Sequence, residues 1–299
     1  MNKIINADAL EAMRTLPDSC CRTCITSPPY YGLRDYGTAG QIGLEDTPDQ
    51  YIENLVKIFR EVRRVLKDDG TLWVNIGDSY TQKNLNGIPW LLAFALRSDG
   101  WYLRSDIIWQ KPNAMPESVK DRPTRAHEYI FLLSKSPRYY YDAEAVKEPA
   151  VGFYNAAPAG SAGTGKPNAR RRGNSRTFRG GGAYTHDRAQ NNSATVERES
   201  HGLAPNESGK RNRRSVWTIA TRPYKGAHFA TFPEELARPC VLAGSRPGDT
   251  VLDPFAGSGT TGAVAAQEGR DFIGIEINPD YCEIIRQRLD ACCQKGAKP

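Results

Sequence analysis

The sequence contains no long apolar run. No stretch approaches the ~20 consecutive apolar residues that a transmembrane helix requires, so a membrane partner is not expected. The segment from Met1 to Asp8 does not have the pattern of a secretory signal peptide. We therefore expect a cytoplasmic location.

Recognisable metal-binding patterns are also lacking. The chain has seven Cys and four His among 299 residues. Only Cys20, Cys21 and Cys24 cluster, and no His lies near them, whereas a zinc site needs two suitably spaced pairs of ligands. We interpret the cysteines as reduced thiols, several of them buried, and expect no metal site.

Positive charge is concentrated in one segment. The whole chain carries a net charge of +6, but residues 151–214 hold twelve Lys and Arg against four Asp and Glu, a net charge of +8. The remainder is therefore slightly acidic. A basic segment on a near-neutral body is typical of an insert that binds a polyanion, although a disordered, solvated surface loop has the same composition.

Apolar periodicity alternates between strands and helices on both sides of this segment. Strands are predicted at 2–8, 20–26, 71–76, 102–110, 128–134, 215–219, 250–252 and 271–276. Helices are predicted at 9–16, 51–66, 90–97, 232–242, 260–268 and 279–292. This order predicts an α/β fold with a doubly wound, mostly parallel sheet.

The periodicity stops between residues 149 and 214, where Gly, Asn, Arg, Ser and Ala dominate. A loop of this length inside a compact domain is usually functional or disordered. We expect 149–214 to be an insert that is partly disordered and orders on binding a ligand. The flanking parts, 1–148 and 215–299, are expected to form one domain together.

Two motifs lie at opposite ends of the chain. Residues 26–30 read Thr-Ser-Pro-Pro-Tyr and follow a predicted buried strand. Residues 253–261 read Asp-Pro-Phe-Ala-Gly-Ser-Gly-Thr-Thr and connect a strand to a helix. Small residues let a backbone approach a ligand closely, and a helix N-terminus presents free N–H groups. The second motif therefore predicts a ligand-binding loop.

In this order, with a basic segment between them, the two motifs resemble those of the β-class DNA amino-methyltransferases. That class places its catalytic motif first, its target-recognition region in the middle and its cofactor loop last. The resemblance spans nearly the whole chain. It implies a Rossmann-like methyltransferase fold, S-adenosylmethionine as the cofactor and double-stranded DNA as the partner. It also implies a prokaryotic or phage-encoded protein, with a homodimer and a separately acting restriction endonuclease as further expectations.

The resemblance carries over to two sets of residues, and the basic middle segment supplies a third. The catalytic set is Ser27, Pro28, Pro29 and Tyr30. The cofactor set is Asp8, Phe229, Asp253, Pro254, Phe255, Gly257, Gly259, Thr260, Thr261 and Glu276. The DNA-binding set, which is expected to contact phosphates or guanine edges, is Arg170, Arg171, Arg172, Arg176 and Arg179.

Three acids in the cofactor set have expected roles. Asp253 is expected at the methionine end, Glu276 at the ribose hydroxyls and Asp8 at the adenine amine. For each of them a helix cap or a surface charge is the alternative interpretation.

The catalytic set suits methylation of an exocyclic amine, whose lone pair is delocalised into the ring of the base. Ser27 and the Pro28 carbonyl can accept hydrogen bonds from the amino hydrogens, which frees the lone pair. The prolines hold these acceptors rigidly, so they are preorganised for developing positive charge. Tyr30 offers a flat face for an extruded base. The transfer needs no covalent enzyme intermediate and no metal.

A serine in the first catalytic position resembles N4-cytosine enzymes, whereas Asp is commoner there in N6-adenine enzymes. We therefore predict cytosine N4, with adenine N6 as the alternative. RNA and protein-glutamine methyltransferases use a related Asn-Pro-Pro-Tyr turn but usually place the cofactor loop before it. A non-enzymatic nucleic-acid-binding protein on a degenerate methyltransferase body is disfavoured by the two intact motifs.

Several further residues draw attention without a settled role. Pro239-Cys240 resembles the nucleophilic pair of cytosine-C5 methyltransferases, but it precedes the cofactor loop, so we interpret Cys240 as a core residue. Asn75, Gly77 and Asp78 end a strand and are expected to shape the base pocket or to form a turn or cap. His127 and Glu128 begin a later strand, and the sequence assigns them no role.

Overall fold

The computed structural model describes residues 2–35, 37–150, 209–221 and 232–296, with the side chains of the last four of these left out. The strands are β1 (Lys3–Asn6), β2 (Cys21–Thr26), β3 (Leu66–Ile76), β4 (Tyr80–Thr81), β5 (Asn84–Leu85), β6 (Tyr102–Gln110), β7 (His127–Ser134), β8 (Glu148–Pro149), β9 (Lys210–Arg211), β10 (Val216–Thr218), β11 (Thr250–Asp253) and β12 (Asp271–Glu276). The helices are α1 (Ala9–Arg14), α2 (Pro48–Val65), α3 (Ile88–Ser98), α4 (Glu234–Gly244), α5 (Thr260–Gln267) and α6 (Pro279–Gly296).

The strands of the described residues form a central eight-stranded sheet in the order β1-β12-β11-β2-β3-β7-β6-β10. All neighbours in this sheet are parallel except β7, which runs antiparallel to β3 and to β6. The predicted doubly wound, mostly parallel α/β fold is confirmed. From β2 the chain continues to β3 on one side, and from β11 it continues to β12 on the other. The carboxyl ends of β2 and β11 therefore form the switch point at which such sheets bind ligands.

Helices cover both faces of the sheet because the central strands are apolar on both sides. On β2 and β3, Cys24 and Leu72 pack with α1, α2 and α3. Their neighbours Ile25 and Trp73 point the other way and pack with α4, α5 and α6. The strand period of two thus divides the core into two layers around one sheet.

Helix α2 begins at residue 48 rather than at the predicted residue 51. The Thr47 hydroxyl caps it by accepting a hydrogen bond from Gln50 N at 3.3 Å, and Pro48 occupies the first turn, where its missing N–H costs nothing. Apolar periodicity detects only the buried face of a helix, so the polar first turn was not included in the prediction.

Strand β3 begins at Leu66 rather than at the predicted residue 71. Cys21 on β2 pairs with Leu66, whereas Thr23 pairs with Thr71, so β3 carries extra residues between the two pairs. Residues 68–70, which lie between the predicted helix and the predicted strand, therefore belong to an irregularity within β3.

The chain divides into two compact units, 1–147 with 212–299, and 148–211. In the second unit the structure describes the short antiparallel pair β8 and β9. An ion pair between Arg211 Nε on β9 and Glu148 Oε1 on β8, at 2.9 Å, joins the two strands. The target-recognition role expected for 149–214 stays a prediction.

Among the described helices, none is long and apolar enough to span a bilayer.

Candidate functional site

The two sequence motifs meet at the switch point. The Thr26 hydroxyl, at the end of β2, donates a hydrogen bond to Asp253 Oδ1 at 2.6 Å, across 227 residues of sequence. Asp253 Oδ1 also accepts from Phe255 N at 3.1 Å, and Oδ2 accepts from the Thr261 hydroxyl at 2.8 Å. One carboxylate therefore joins the strand that carries the Ser-Pro-Pro-Tyr turn to both ends of the Gly-rich loop.

Asp253 is 1 % exposed, and burial raises its pKa to about 7 even though these hydrogen bonds lower it. Its carboxylate does not line the cavity at this edge of the sheet. The expected contact between Asp253 and the methionine end of a cofactor stays a prediction. Because it is buried and accepts hydrogen bonds from both motifs, Asp253 acts as a structural bridge.

A cavity of about 1030 Å³ opens at the carboxyl edge of the sheet. All four predicted catalytic residues line it, Ser27 to Tyr30. The predicted cofactor residues that line it are Asp8, Pro254, Phe255, Gly257, Thr260 and Glu276. The structure therefore brings both predicted sets to one cavity, whose size is at the upper end of the range for small-molecule sites.

Other predicted residues lie elsewhere. Gly259 and Thr261, like Asp253, are not in the cavity lining and support the loop from behind. Phe229 lies outside the described residues, as do Arg170, Arg171, Arg172, Arg176 and Arg179.

Glu276 anchors the Gly-rich loop from the end of β12. Its Oε2 accepts from Gly257 N at 2.8 Å, its Oε1 accepts from Asn278 N at 2.9 Å, and burial raises its pKa. Each carboxylate oxygen can accept a second hydrogen bond, so Glu276 retains capacity for ligand hydroxyls. The fit to S-adenosylmethionine expected from the resemblance is therefore good at this position.

The loop needs glycine where α5 begins. Gly259 caps α5 in the left-handed conformation, with φ of +79°, and provides no side-chain hydrogen bond to it. A Cβ at Gly259 would lie 3.0 Å from two carbon atoms of Ile285. The loop therefore turns tightly against α6 and leaves the first N–H groups of α5 uncapped by its own N-cap side chain.

Asp8 has the helix-capping role that was the alternative interpretation for it. Its Oδ1 accepts from Leu10 N at 2.9 Å and Glu11 N at 3.0 Å, so it is the N-cap of α1. The residue also lines the cavity. A contact with a ligand amine stays a prediction.

The turn at residues 27–30, predicted to be catalytic and called the catalytic turn below, is held by a hydrogen-bond network. Tyr30 Oη donates to Glu128 Oε2 at 2.6 Å, and Asn75 Nδ2 donates to Tyr30 Oη at 2.8 Å. Ser27 Oγ lies 3.4 Å from both Tyr30 Oη and Asn75 Nδ2. Glu128 also forms an ion pair with Lys111. Burial and the Glu128 carboxylate raise the pKa of Tyr30 well above its usual value, so its hydroxyl stays protonated.

Two contacts fix the position of the turn. The Tyr51 hydroxyl on α2 donates to the Pro29 carbonyl at 2.7 Å. The Tyr30 ring lies directly on Gly77, where an added Cβ would be 2.7 Å from Tyr30 Cε2. Gly77 thus leaves the space that the aromatic ring needs.

The residues that end β3 separate into different roles. Asn75 bonds to the catalytic turn, whereas Asp78 accepts hydrogen bonds from Ser79 N, Gly87 N and Ile88 N and so caps α3. Asp78 therefore has the capping role that the sequence offered, whereas the shaping of a base pocket stays a prediction.

Sequence reasoning missed the site roles of Glu128 and Lys111. The antiparallel pairing of β6 and β7 places Gln110 opposite His127, and Lys111 follows at the same edge. Opposite charges on adjacent strand ends are a signal, but it can be used only when the strand pairing is known.

Cys240 is buried and 2 % exposed on α4, and burial raises its pKa. Its interpretation as a core residue is confirmed.

In the part of the chain that the structure describes, there is no group of three or more His, Cys, Asp or Glu side chains arranged to hold a metal ion.

Residues 21–287 match the N6_N4_Mtase family, described as DNA methylase. The Type II methyltransferase M.Cfr9I of Citrobacter freundii is 47 % identical over 315 residues, covering 96 % of this chain and 87 % of that protein. The Type II methyltransferase M.SmaI of Serratia marcescens is 46 % identical over 316 residues, covering 96 % of this chain and 90 % of that protein.

Solved structures share the fold at lower sequence identity. The PvuII DNA methyltransferase, described as cytosine-N4-specific, has a TM-score of 0.66 at 20 % identity, covering 98 % of this chain and 91 % of that one. The protein TTHA0409 of Thermus thermophilus, in a complex with S-adenosyl-L-methionine, has a TM-score of 0.60 at 24 % identity, covering 98 % of this chain and 96 % of that one.

Proposed function

Since the chain belongs to the N6/N4 DNA methylase family, we propose that it methylates the N4 amine of cytosine in double-stranded DNA, at a specific site, with S-adenosylmethionine as the methyl donor. The observation that carries this proposal is the bond between Thr26 and Asp253, which joins the catalytic turn to the cofactor loop at one cavity. The alternative, a non-enzymatic nucleic-acid-binding protein on a degenerate methyltransferase body, would not need this arrangement.

S-adenosylmethionine, when bound, supplies an electrophilic methyl group. The loop residues Pro254, Phe255 and Gly257 are proposed to lie along it, with Glu276 at the ribose hydroxyls. Asp8 is proposed at the adenine amine, and Phe229 is proposed to pack on the cofactor. Asp253, Gly259, Thr260 and Thr261 are proposed to shape the loop, Thr260 at the cavity itself.

The catalytic turn is proposed to prepare the amine. Ser27 Oγ and the Pro28 carbonyl accept hydrogen bonds from its two hydrogens, which draws the lone pair out of conjugation and onto nitrogen. The base must be extruded, because a base inside a duplex cannot reach the cavity. Tyr30 then packs against the extruded base. Holding the amine in line with the methyl group supplies much of the remaining rate by proximity and orientation.

Two observations favour cytosine as the base. Ser27 occupies the first catalytic position, as in N4-cytosine enzymes, and the PvuII enzyme of similar fold is described as cytosine-N4-specific. Adenine N6 is the second candidate, because the turn offers its acceptors to either amine.

The similar Type II methyltransferases support a role as the modifying partner of a separately acting restriction endonuclease. Residues 149–214 are proposed to recognise the target, with Arg170, Arg171, Arg172, Arg176 and Arg179 on phosphates or guanine edges. A homodimer is a further proposal that follows from the resemblance.

Mass spectrometry of nucleosides tests the function. DNA of varied sequence incubated with the protein and S-adenosylmethionine should contain N4-methylcytosine. N6-methyladenine instead would preserve the site and mechanism but overturn the choice of base. If no DNA base is methylated, while the protein still binds DNA without needing the cofactor, the alternative of a non-enzymatic binding protein replaces the proposal.

Gly77→Ala tests the position of the Tyr30 ring. The new Cβ would lie 2.7 Å from Tyr30 Cε2, so the ring must move away from Glu128 and from its place beside the base. We expect the single-turnover methylation rate to fall about 10²-fold, the size of effect that a misplaced catalytic group can produce. Cofactor affinity, measured by calorimetry, should stay unchanged, because Gly77 is on the β3 side of the site and the cofactor loop follows β11. A rate equal to that of the unmodified protein would show that the ring position is unimportant.

A further inference from the structure

We propose that Glu128 is the terminal proton acceptor of the methylation reaction and that the proton reaches it through the hydroxyl groups of Ser27 and Tyr30. This inference rests on the proposed function, since it requires an amine that is methylated next to Ser27. It assigns a role to a carboxylate that the sequence left without one.

Methylation of an exocyclic amine creates the need for a base. As the new N–C bond forms, positive charge develops on nitrogen, and one N–H bond must break to return the product to neutrality. Ser27 is a neutral hydroxyl and is a poor base by itself. A carboxylate connected to Ser27 by hydrogen bonds removes this difficulty.

The hydrogen bonds of the network point in one direction. Ser27 Oγ donates to Tyr30 Oη at 3.4 Å, and Tyr30 Oη donates to Glu128 Oε2 at 2.6 Å. Asn75 Nδ2 donates to the Tyr30 oxygen at 2.8 Å and to Glu128 Oε2 at 3.0 Å. Because the Tyr30 oxygen accepts from both Ser27 and Asn75, its own hydrogen is directed to Glu128.

The end of the network is a carboxylate that is paired with a cation. Lys111 forms an ion pair with Glu128 Oε1, which leaves Oε2 for Tyr30. Lys111 Nζ also lies 4.4 Å from the centre of the Trp109 ring, which helps to hold the ammonium group in place. The Glu128 side chain is 13 % exposed, so the ion pair is largely shielded from solvent.

The proposed transfer balances. An amine N–H bond breaks and its proton goes to Ser27 Oγ, Ser27 releases its own proton to Tyr30 Oη, and Tyr30 releases its own proton to Glu128 Oε2. At the end the methylated amine and both hydroxyls are neutral and Glu128 is protonated. The remaining exposure of Glu128 and Lys111 lets the proton pass to solvent afterwards.

The other acids in the cavity lining of the described chain are occupied elsewhere. Asp8 caps α1, Asp78 caps α3 and Glu117 pairs with Arg122. Glu276 holds the Gly-rich loop on β12, which β11, β2 and β3 separate from β7. Within this set, Glu128 is the acid bonded to the catalytic turn.

The test compares Glu128→Gln, Tyr30→Phe and the double variant in single-turnover methylation of DNA. Each single variant should lower the rate about 10²-fold or more, as expected when proton transfer by a base is lost. The double variant should be no slower than the worse single variant, because both changes interrupt one chain. Matched controls are Glu283→Gln on α6 and Tyr102→Phe at the opposite end of β6, which should keep the original rate.

A merely structural role is excluded by a second readout. The unmodified protein should react more slowly in D2O than in H2O, and Tyr30→Phe, which keeps the ring, should lose this difference. Measurements of cofactor affinity and of thermal melting check that each variant is folded. If Glu128→Gln does not fold, the test rests on the rate and the D2O effect of Tyr30→Phe. Multiplicative rate losses in the double variant, or no effect of D2O on the unmodified protein, would overturn the proposal. A failure of the unmodified protein to methylate DNA would instead count against the proposed function.

Discussion

Replacing Ser27 by Ala should lower the single-turnover rate of DNA methylation by about 10²- to 10³-fold, the loss seen when one preorganised hydrogen-bonding group is removed from a reacting centre. Ser27 Oγ is the proposed side-chain acceptor for the amine, and its own contacts to Tyr30 and Asn75 are long, at 3.4 Å. Loss of these two long contacts should therefore affect the fold little.

The physical expectation is a selective loss of rate. The Pro28 carbonyl remains as one acceptor, but a second amino hydrogen is left without a partner, so the lone pair stays conjugated with the ring. Stopped-flow or quench measurements of rate should be accompanied by measurements of cofactor and DNA affinity, and both affinities should stay within about threefold, equivalent to less than 1 kcal/mol.

Ser98→Ala is a matched control, because Ser98 is an exposed residue at the end of α3. It should keep the original rate. If Ser27→Ala also reacted at the original rate, Ser27 would not be an acceptor in the transition state, and the assignment of the turn would be wrong.

Replacing Asp253 by Ala should lower the free energy of unfolding by about 2 to 4 kcal/mol at pH 8. The change leaves the buried Thr26 hydroxyl and the Phe255 N–H without their acceptor, and each unsatisfied buried group costs about 1 to 3 kcal/mol. The Thr261 hydroxyl loses one acceptor but keeps the Ile25 carbonyl. The loss of the costly buried carboxylate offsets part of this sum. Urea unfolding monitored by circular dichroism measures the change, and weaker cofactor binding should accompany it because the loop is no longer tied to β2.

Asp253→Asn is the matched control and also isolates the effect of pH. The amide oxygen can accept from Thr26 and Phe255, and the amide nitrogen can donate to Thr261 Oγ1, whose hydrogen can turn fully to the Ile25 carbonyl at 3.3 Å. This variant should therefore be much more stable than Asp253→Ala. Equal destabilisation by both substitutions would show that the hydrogen bonds of Asp253 do not hold the site together.

The pH dependence follows from the raised pKa of Asp253, about 7 in the folded protein against 3.8 for an ordinary Asp. Between these values the folded state binds a proton that the unfolded state has released, so stability falls as pH rises from about 4 to 7 and the loss is complete above that range. The expected size is on the order of 4 kcal/mol. Asp253→Asn should lack this part of the slope; identical slopes would show that Asp253 titrates normally.

Much of the fold could be predicted from the sequence because its signals are local. The apolar spacing along α2 reflects packing of one helix face, and the continuous apolar run at residues 130–133 of β7 reflects burial on both faces. The two motifs were recognisable because a Ser-Pro-Pro-Tyr turn and a Gly-rich loop need particular residues to adopt their backbone conformations.

The functional details depended on distant pairing. The sequence assigned Asp253 to the cofactor, whereas the structure shows its carboxylate bonded to Thr26, 227 positions away. Glu128 and Tyr30 are separated by 98 positions and meet because β7 runs antiparallel beside β3. Local patterns contain no information about which strands become neighbours.

The sequence by itself therefore determined the α/β class, the order of the two motifs and the prediction of Ser27 to Tyr30 as the reacting turn, since each depends on short-range spacing and on chemistry that particular side chains provide. Only the tertiary structure decided that Asp253 is a bridge and that Glu128, Lys111 and Asn75 join the hydrogen-bond network around that turn. The reason is physical: whether a carboxylate binds a ligand, caps a helix or accepts a buried hydroxyl depends on which donors lie within about 3 Å of it, and strand order in the sheet sets those neighbours.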